Sequence, residues 1–317
     1  MDKIKGNFKG KDIISLDQFD CQSLKKLFIK TKKITKLLKT KTKLNLLSGK
    51  IITLLFFEPS SRTFGSFCSA IKRLGGQTIE YQNPLQTSSA VKGETLWDTA
   101  KMFTNYSDGI VMRHPIVGSV NTIAQSASVP VINAGDGVGE HPTQAILDLY
   151  TIYEQFGDLN NLTALIGGDL LYGRTIHSLL KGLSLYKKIS LYLLSPKQLR
   201  LPRDLLKRFV NDGLKIFEIK SEKEIPPNCH FWYWTRVQKE RFKNIKDYEK
   251  VKNKFIITPE LLAKKGNRKM IIMHPLPRVG VIDVRVDSDP RAVYLTRQAL
   301  NGVYTRMALL GLIFGRI

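Results

Sequence analysis

Residues 51–76 read IITLLFFEPSSRTFGSFCSAIKRLGG. The first seven are almost wholly apolar, as in a buried strand; beyond Glu58-Pro59, Phe64, Phe67, Ile71 and Leu74 recur at helical spacing until Gly75-Gly76 stops the run. A buried strand feeding a helix is half of a parallel crossover, so the stretch predicts an α/β chain. It also raises a chemical question. Ser60, Ser61, Arg62 and Thr63 stand at a strand end and a helix N-terminus. Ser and Thr there cap the helix, but free N–H groups and the helix dipole equally favour an anion. Capping has no use for Arg62. From these residues alone both readings stay open.

Outward from this stretch, apolar strand candidates alternate with amphipathic runs. They are IITLLFF, QTIEYQ, GIVMRH, VPVINAG, LTALIGGDL, ISLYLLS, LKIFEI, HFWYWT, FIITPELL and KMIIMHPL. The alternation restarts near residue 161, after HPTQAILDLYTIYEQFG (141–157), which reads as a helix joining two sheets. A length of 317 residues also suggests two domains. Two doubly wound parallel-sheet domains are expected, with ligands in the crevice beyond the strand C-terminal ends. The lysine-rich stretch 23–43 has Leu24, Leu27, Phe28, Ile34, Leu37 and Leu38 on one face, so its lysines are its solvated side and it packs as a helix of the first domain.

Composition narrows the class. The chain is 43% hydrophobic and 24% charged, as in globular proteins, with no membrane-length apolar run and no signal-peptide core. A cytoplasmic location without membrane association is expected. Cys21, Cys68 and Cys229 are far apart, which argues against a disulfide framework or a zinc site. Fifty Lys+Arg against 27 Asp+Glu give a net charge of +23, which attracts anions generally. No zinc-finger spacing, RNA-binding signature or aromatic interleaving accompanies it, so no specific nucleic-acid partner is expected.

Polar clusters follow the strand candidates: Arg113-His114-Pro115, His141-Pro142-Thr143-Gln144, Arg174, Thr235-Arg236-Val237-Gln238 and His274-Pro275-Leu276-Pro277-Arg278. Any one is ordinary loop polarity; together with Ser60–Thr63 they sit where an α/β crevice recruits its side chains. Several arginine forks imply substrates with several negative charges. The glycines of IGGDLLYG are wrongly spaced for dinucleotide binding, and neither a phosphate loop nor H-E-x-x-H is present. No cofactor and no metal is expected. Glu58, Asp136, Glu140 and Asp169 read as orienters of the arginines.

FFEPSSRT, KGETLWDTA, VMRHP, NAGDGVGEHPTQAILDLYTI, GDLLYGRTIHSLL, TRVQKERF and MHPLPR, in this order from about residue 48 to the C-terminus, resemble aspartate carbamoyltransferase catalytic chains. The resemblance implies transfer of the carbamoyl group of carbamoyl phosphate to L-aspartate in pyrimidine synthesis, and the two-domain aspartate/ornithine carbamoyltransferase fold with interdomain helices. It implies a carbamoyl-phosphate domain of residues 1–142, with the C-terminal helix 299–317 packing back on it, and an aspartate domain of residues 143–298. By motif, Ser60, Ser61, Arg62 and Thr63 would hold the phosphate, and Arg113 would bridge phosphate and carbonyl oxygens. His141, with Arg62 and Thr63, would polarise the carbonyl. Gln144 would bind the carbamoyl amine. Arg174, Arg236 and Gln238 would clasp the aspartate carboxylates, and backbone groups of Leu276 and Pro277, joined by a cis bond in the family, would complete the pocket. A neighbouring subunit would lend Ser88 and Lys92 from QTSSAVKGETLWD, implying a homotrimer with shared sites. Read alone, Lys92 is a surface lysine.

The departures are Ser61 where Thr is frequent, Leu171 where many relatives have Lys, and Gly280-Val281 where many have an acidic pair linked to interdomain contacts. Domain closure or its regulation is where these would tell. Ornithine carbamoyltransferases typically carry a cysteine where this chain has Pro275, and Arg174, Arg236 and Gln238 suit a second carboxylate better than an ammonium. A nucleic-acid binder resting on charge alone, and a silent member kept for assembly, are the competing classes.

Overall fold

The computed structural model describes residues 2–40, 42–83, 93–239, 242 and 244–317. The chain divides into two compact units, Met1–Tyr150 with Leu300–Ile317, and Thr151–Ala299.

The first unit holds a parallel four-stranded sheet in the order β2-β1-β3-β4. Its strands are β1 (Ile51–Phe56), β2 (Gln77–Gln82), β3 (Gly109–His114) and β4 (Val131–Asp136). Helices α1 (Cys21–Leu37), α2 (Ser61–Arg73), α3 (Leu96–Tyr106) and α4 (Ser119–Ser126) belong to it. Phe67, Ile71 and Leu74 are fully buried and Phe64 nearly so, which fixes the inward face of α2. Each such side chain contributes about 1.5–3 kcal/mol over exposure. Helix α2 ends where Gly75 takes φ +81°, a left-handed turn. The N-terminal helix buries Leu24, Leu27, Phe28 and Ile34, but Leu37, expected on its apolar face, is exposed in the last turn.

The second unit holds a parallel five-stranded sheet in the order β7-β6-β5-β8-β9. Its strands are β5 (Thr163–Gly167), β6 (Ser190–Leu194), β7 (Lys215–Ile219), β8 (Phe231–Trp234) and β9 (Ile271–Met273). Helices α6 (Arg174–Leu183), α7 (Arg203–Asn211), α8 (Ile245–Glu249) and α9 (Pro259–Lys265) connect them. Helix α5 (Pro142–Phe156) is the expected run after β4, and α10 (Arg297–Ile313) closes the chain; the division between units falls within the first and near the start of the second.

Nine of the ten strand candidates form strands; FIITPELL does not. Thr258 there accepts from the N–H of Leu261 as N-cap and Pro259 opens α9, a helix start that outweighs the apolar run, while Ile257 makes only an isolated bridge to Ile282.

Both sheets reverse direction of growth once, between β1 and β3 and between β5 and β8. At such switch points the neighbouring loops leave in opposite directions and open a crevice at the strand C-terminal ends. The second crevice is shaped by glycines. Trp234 lies against Gly167, where a Cβ would meet its ring at 2.6 Å, and Gly168, at φ +100°, would put a Cβ 2.0 Å from the Thr235 carbonyl oxygen. Gly168→Ala is therefore expected to destabilise the second unit by at least about 2 kcal/mol in urea unfolding. An unchanged midpoint would contradict this packing.

Candidate active site

In the first unit the cap geometry bears on the two readings of Ser60–Thr63. Ser60 occupies the N-cap position of α2, yet its side chain makes no capping hydrogen bond. That favours the anion reading: the start of α2 points its N–H groups and dipole outward without a side-chain acceptor from Ser60. Ser61 and Arg62 are exposed beside it, and Thr63 is buried one residue on.

Strand β3 runs next to β1, pairing Phe56 with Arg113. Arg113 is 8% exposed; its guanidinium lies 2.6 Å from Glu58 Oε2 and donates to the Ala134 carbonyl at 3.2 Å. The fork is thus laced between the β1 loop and β4. His141, between β4 and α5, is buried, with Nε2 at 3.4 Å from Thr63 Oγ1 and Nδ1 at 3.5 Å from Thr143 Oγ1. Gln144 lies in the first turn of α5, and its amide donates to Asp148 at 3.1 Å.

Two His-Pro steps share one device: His114 Nδ1 accepts from the N–H of Ile116 at 3.1 Å and His274 Nδ1 from that of Leu276 at 2.7 Å. Burial pushes the His114 pKa down, although Asp136 and Glu58 pull the other way.

The acids divide their work. Glu58 orients Arg113 as expected. Glu140 accepts from Ser15 Oγ at 2.6 Å and Leu16 N at 3.1 Å, fastening the N-terminal segment. Asp136 accepts from the N–H of Gly118 at 2.9 Å. With their acids engaged in this way, the strand ends of this unit offer mainly donors and positive charge.

In the second unit, Asp169 organises the crevice. It is fully buried and accepts from the backbone of Tyr172 at 2.9 Å, while its own N–H donates to Thr235 Oγ1 at 3.1 Å. Burial raises its pKa, opposed by the backbone bonds from Tyr172, Gln238 and Leu171 and by the charge of Arg236. The Gln238 amide donates to the Tyr172 carbonyl at 3.0 Å. The loop after β5, which leads into Arg174 at the start of α6, is thereby tied to the loop after β8 that carries Arg236 and Gln238. Leu276 and Pro277 follow β9, the neighbour of β8, and are joined by a cis bond. Ser88 and Lys92 lie outside the described residues.

Two contributors escaped sequence reasoning. His177, one turn into α6, donates from Nε2 to the Leu170 carbonyl at 2.8 Å and so pins the β5 loop; only its i+3 spacing from Arg174 hinted at this. Arg306 on α10 is 3% exposed and bonds to Ser66 and Thr143, and a lone arginine in an apolar helix was its signal. Among the described residues no group of three or more His, Cys, Asp or Glu side chains is arranged to hold a metal ion, and no helix is long and apolar enough to cross a membrane.

Burial lowers the pKa of His177, helped by Lys181 and opposed by the Leu170 carbonyl and Asp204. A His neutral in the fold binds fewer protons than the unfolded chain below about pH 6.5, so stability is full above that value and is lost as pH falls through it. His177→Gln should lose less melting temperature than the unmodified chain between about pH 7.5 and about pH 5.5. Parallel curves for the two proteins would exclude this role.

The sequence matches "Aspartate/ornithine carbamoyltransferase, carbamoyl-P binding domain" over residues 11–154 and "Aspartate/ornithine carbamoyltransferase, Asp/Orn binding domain" over residues 160–313. It is 45% identical over 311 residues to the aspartate carbamoyltransferase catalytic subunit of Methanosarcina barkeri, covering 98% of this chain and 99% of that one. It is 47% identical over 306 residues to the multifunctional protein pyr1-3 of Dictyostelium discoideum, covering 96% of this chain but only 14% of that protein's length. Aspartate transcarbamoylase from Trypanosoma cruzi, solved with carbamoyl phosphate and aspartate, superposes with a TM-score of 0.89 at 38% identity, over 96% of this chain and 97% of that one. On these matches the chain belongs to the aspartate/ornithine carbamoyltransferase family.

Proposed function

We propose that this chain transfers the carbamoyl group of carbamoyl phosphate to the amino group of L-aspartate, giving N-carbamoyl-L-aspartate and phosphate, a step of pyrimidine synthesis in the cytoplasm. The reading is carried by two switch-point clusters rich in donors, one in each unit: an α2 N-terminus not capped by Ser60, and a β5–β8 rim carrying Arg174, Arg236 and Gln238 on the loops tied by Asp169. Residues 1–142 with helix 299–317 serve carbamoyl phosphate, and residues 143–298 serve aspartate.

Ser60, Ser61, Arg62 and Thr63 bind the phosphate through hydroxyls, N–H groups and a guanidinium. The neutral amine of aspartate attacks the carbamoyl carbon, and negative charge gathers on the carbonyl oxygen. Arg62, Thr63, Arg113 and His141 donate to that oxygen, while Gln144 holds the carbamoyl amine. The carbon–oxygen bond to phosphate then breaks, the leaving phosphate taking the bond electrons and the proton shed by the attacking amine. His141 acts as a donor, with general acid–base participation as the alternative. Arg174, Arg236 and Gln238 clasp the two aspartate carboxylates, supported by backbone groups of Leu276 and Pro277.

Ser88 and Lys92 reach the site of a neighbouring copy in a homotrimer. Self-association is supported by Trp97, Met102 and Tyr106, which stand exposed on α3 soon after that stretch, and by Ile116, Val117 and Val138, exposed on the loops after β3 and β4.

The purified protein is expected to release phosphate from carbamoyl phosphate in the presence of aspartate and not of ornithine. Arg62→Ala and His141→Ala should each lower kcat by about 10²-fold or more. Arg236→Ala should chiefly raise KM for aspartate. Turnover with ornithine and none with aspartate would overturn the acceptor assignment.

A further inference from the structure

Arg306 stands alone as a charge in the apolar run TRMALLGLI of α10. Its guanidinium lies 4.9 Å from the centre of the Phe67 ring. Nη1 donates to Ser66 Oγ at 2.9 Å, and Nη2 lies at 3.5 Å from Thr143 Oγ1. Ser66 is one turn beyond Thr63 on α2, and Thr143 is two residues beyond His141 at the start of α5. A single planar fork therefore spans the two elements that hold Thr63 Oγ1 and His141 Nε2 3.4 Å apart. Burial pulls the guanidinium pKa down to about 10, opposed by the charge of Asp148. Arg306 is still charged at neutral pH and can only donate, so its two hydroxyl partners must accept. Lysine, a point donor, cannot bridge both. Gly302, one turn earlier on α10, leaves the space: a Cβ there would lie 2.7 Å from Arg306 Nη1 and 3.2 Å from Leu147 Cδ2.

We propose that Arg306 is a positioning residue for carbamoyl transfer, locking the anion-binding start of α2 to the His141–Gln144 segment and so fixing the aim of Thr63 and His141. The inference rests on the carbamoyl-transfer reading above. It differs from a purely structural role because the fork sets a spacing between two reacting loops.

Gly302→Ala tests it while keeping the charge. The added methyl displaces the fork, yet alanine by itself favours the helix. The expected result is a fall of about tenfold or more in kcat/KM for carbamoyl phosphate, KM for aspartate within about twofold, and a melting temperature that does not explain the loss. Ser66→Ala, which removes the shorter bond from a half-buried site, should produce a smaller fall in the same constant, and Ser66→Thr should restore it. Ser66→Ala decides the matter if Gly302→Ala fails to fold. Folded variants turning over carbamoyl phosphate like the unmodified chain would overturn the proposal.

Calorimetry with inorganic phosphate separates this failure from that of the parent reading. If the unmodified chain bound phosphate but did not carbamoylate aspartate, the transfer reading would fall. Weaker phosphate binding by Ser66→Ala would then still support the positioning role, and unchanged binding would end it.

Discussion

A site for multiply charged anions must gather positive groups that repel one another, so each cation needs an anchor supplied by the protein itself. Two like charges about 4 Å apart cost roughly 4 kcal/mol at the effective dielectric of a protein surface. The chain meets this constraint by giving arginines their own acids. Glu58 lies against Arg113, Asp169 feels the charge of Arg236, and Arg306 that of Asp148. Asp169 also accepts from the Tyr172 N–H, so it fixes a loop as well as a charge, while Asp148 accepts from the Gln144 amide one turn earlier on α5. The rims keep a positive field without being torn apart by it.

The same economy of placement runs through the topology. Each sheet changes direction once, and each change sets two polar loops side by side. In the first unit the neighbours are the β1 loop with Ser60–Thr63 and the end of β3 with Arg113. In the second they are the loops after β5 and β8, joined by Thr235, Asp169 and Gln238. Backbone bonds across the switch, Arg113 O accepting from Phe57 N at 2.8 Å and Gly167 O from Thr235 N at 2.9 Å, carry sheet order to the edge of each crevice. The side chains then need to extend only a short distance from rigid elements.

How much of this could be read from the sequence depended on the range of the interaction involved. Strand and helix alternation is local, and nine of ten strand candidates are strands. The exception, FIITPELL, is apolar enough for a strand, but its Thr258-Pro259 helix start prevails. Sheet order rests on pairing between distant segments, and no local pattern encodes it. The bond from Ser15 to the Glu140 carboxylate spans 125 positions, and no local pattern encodes it either. His177 carries no local signal beyond its spacing from Arg174, because its partner is a backbone carbonyl seven positions away. The choice between cap and anion at Ser60 needed the cap geometry itself, since the same residue type serves both.

Arg306 poses the sharpest physical question of the molecule. A buried guanidinium is poor value as a source of stability, since well-packed apolar side chains in place of buried ions are often neutral or stabilising. Gly302 beside it adds a helix-propensity cost of about 1 kcal/mol relative to alanine. Both burdens fall on the same two turns of α10, and the second exists to make room for the first. Stability alone gives no account of the pair. What the fork does supply is a defined distance between α2 and the start of α5, where a donor displaced by about 1 Å can lower a rate by about 10²-fold. Destabilising features held next to reacting groups make sense when the geometry they enforce is worth more than the free energy they cost.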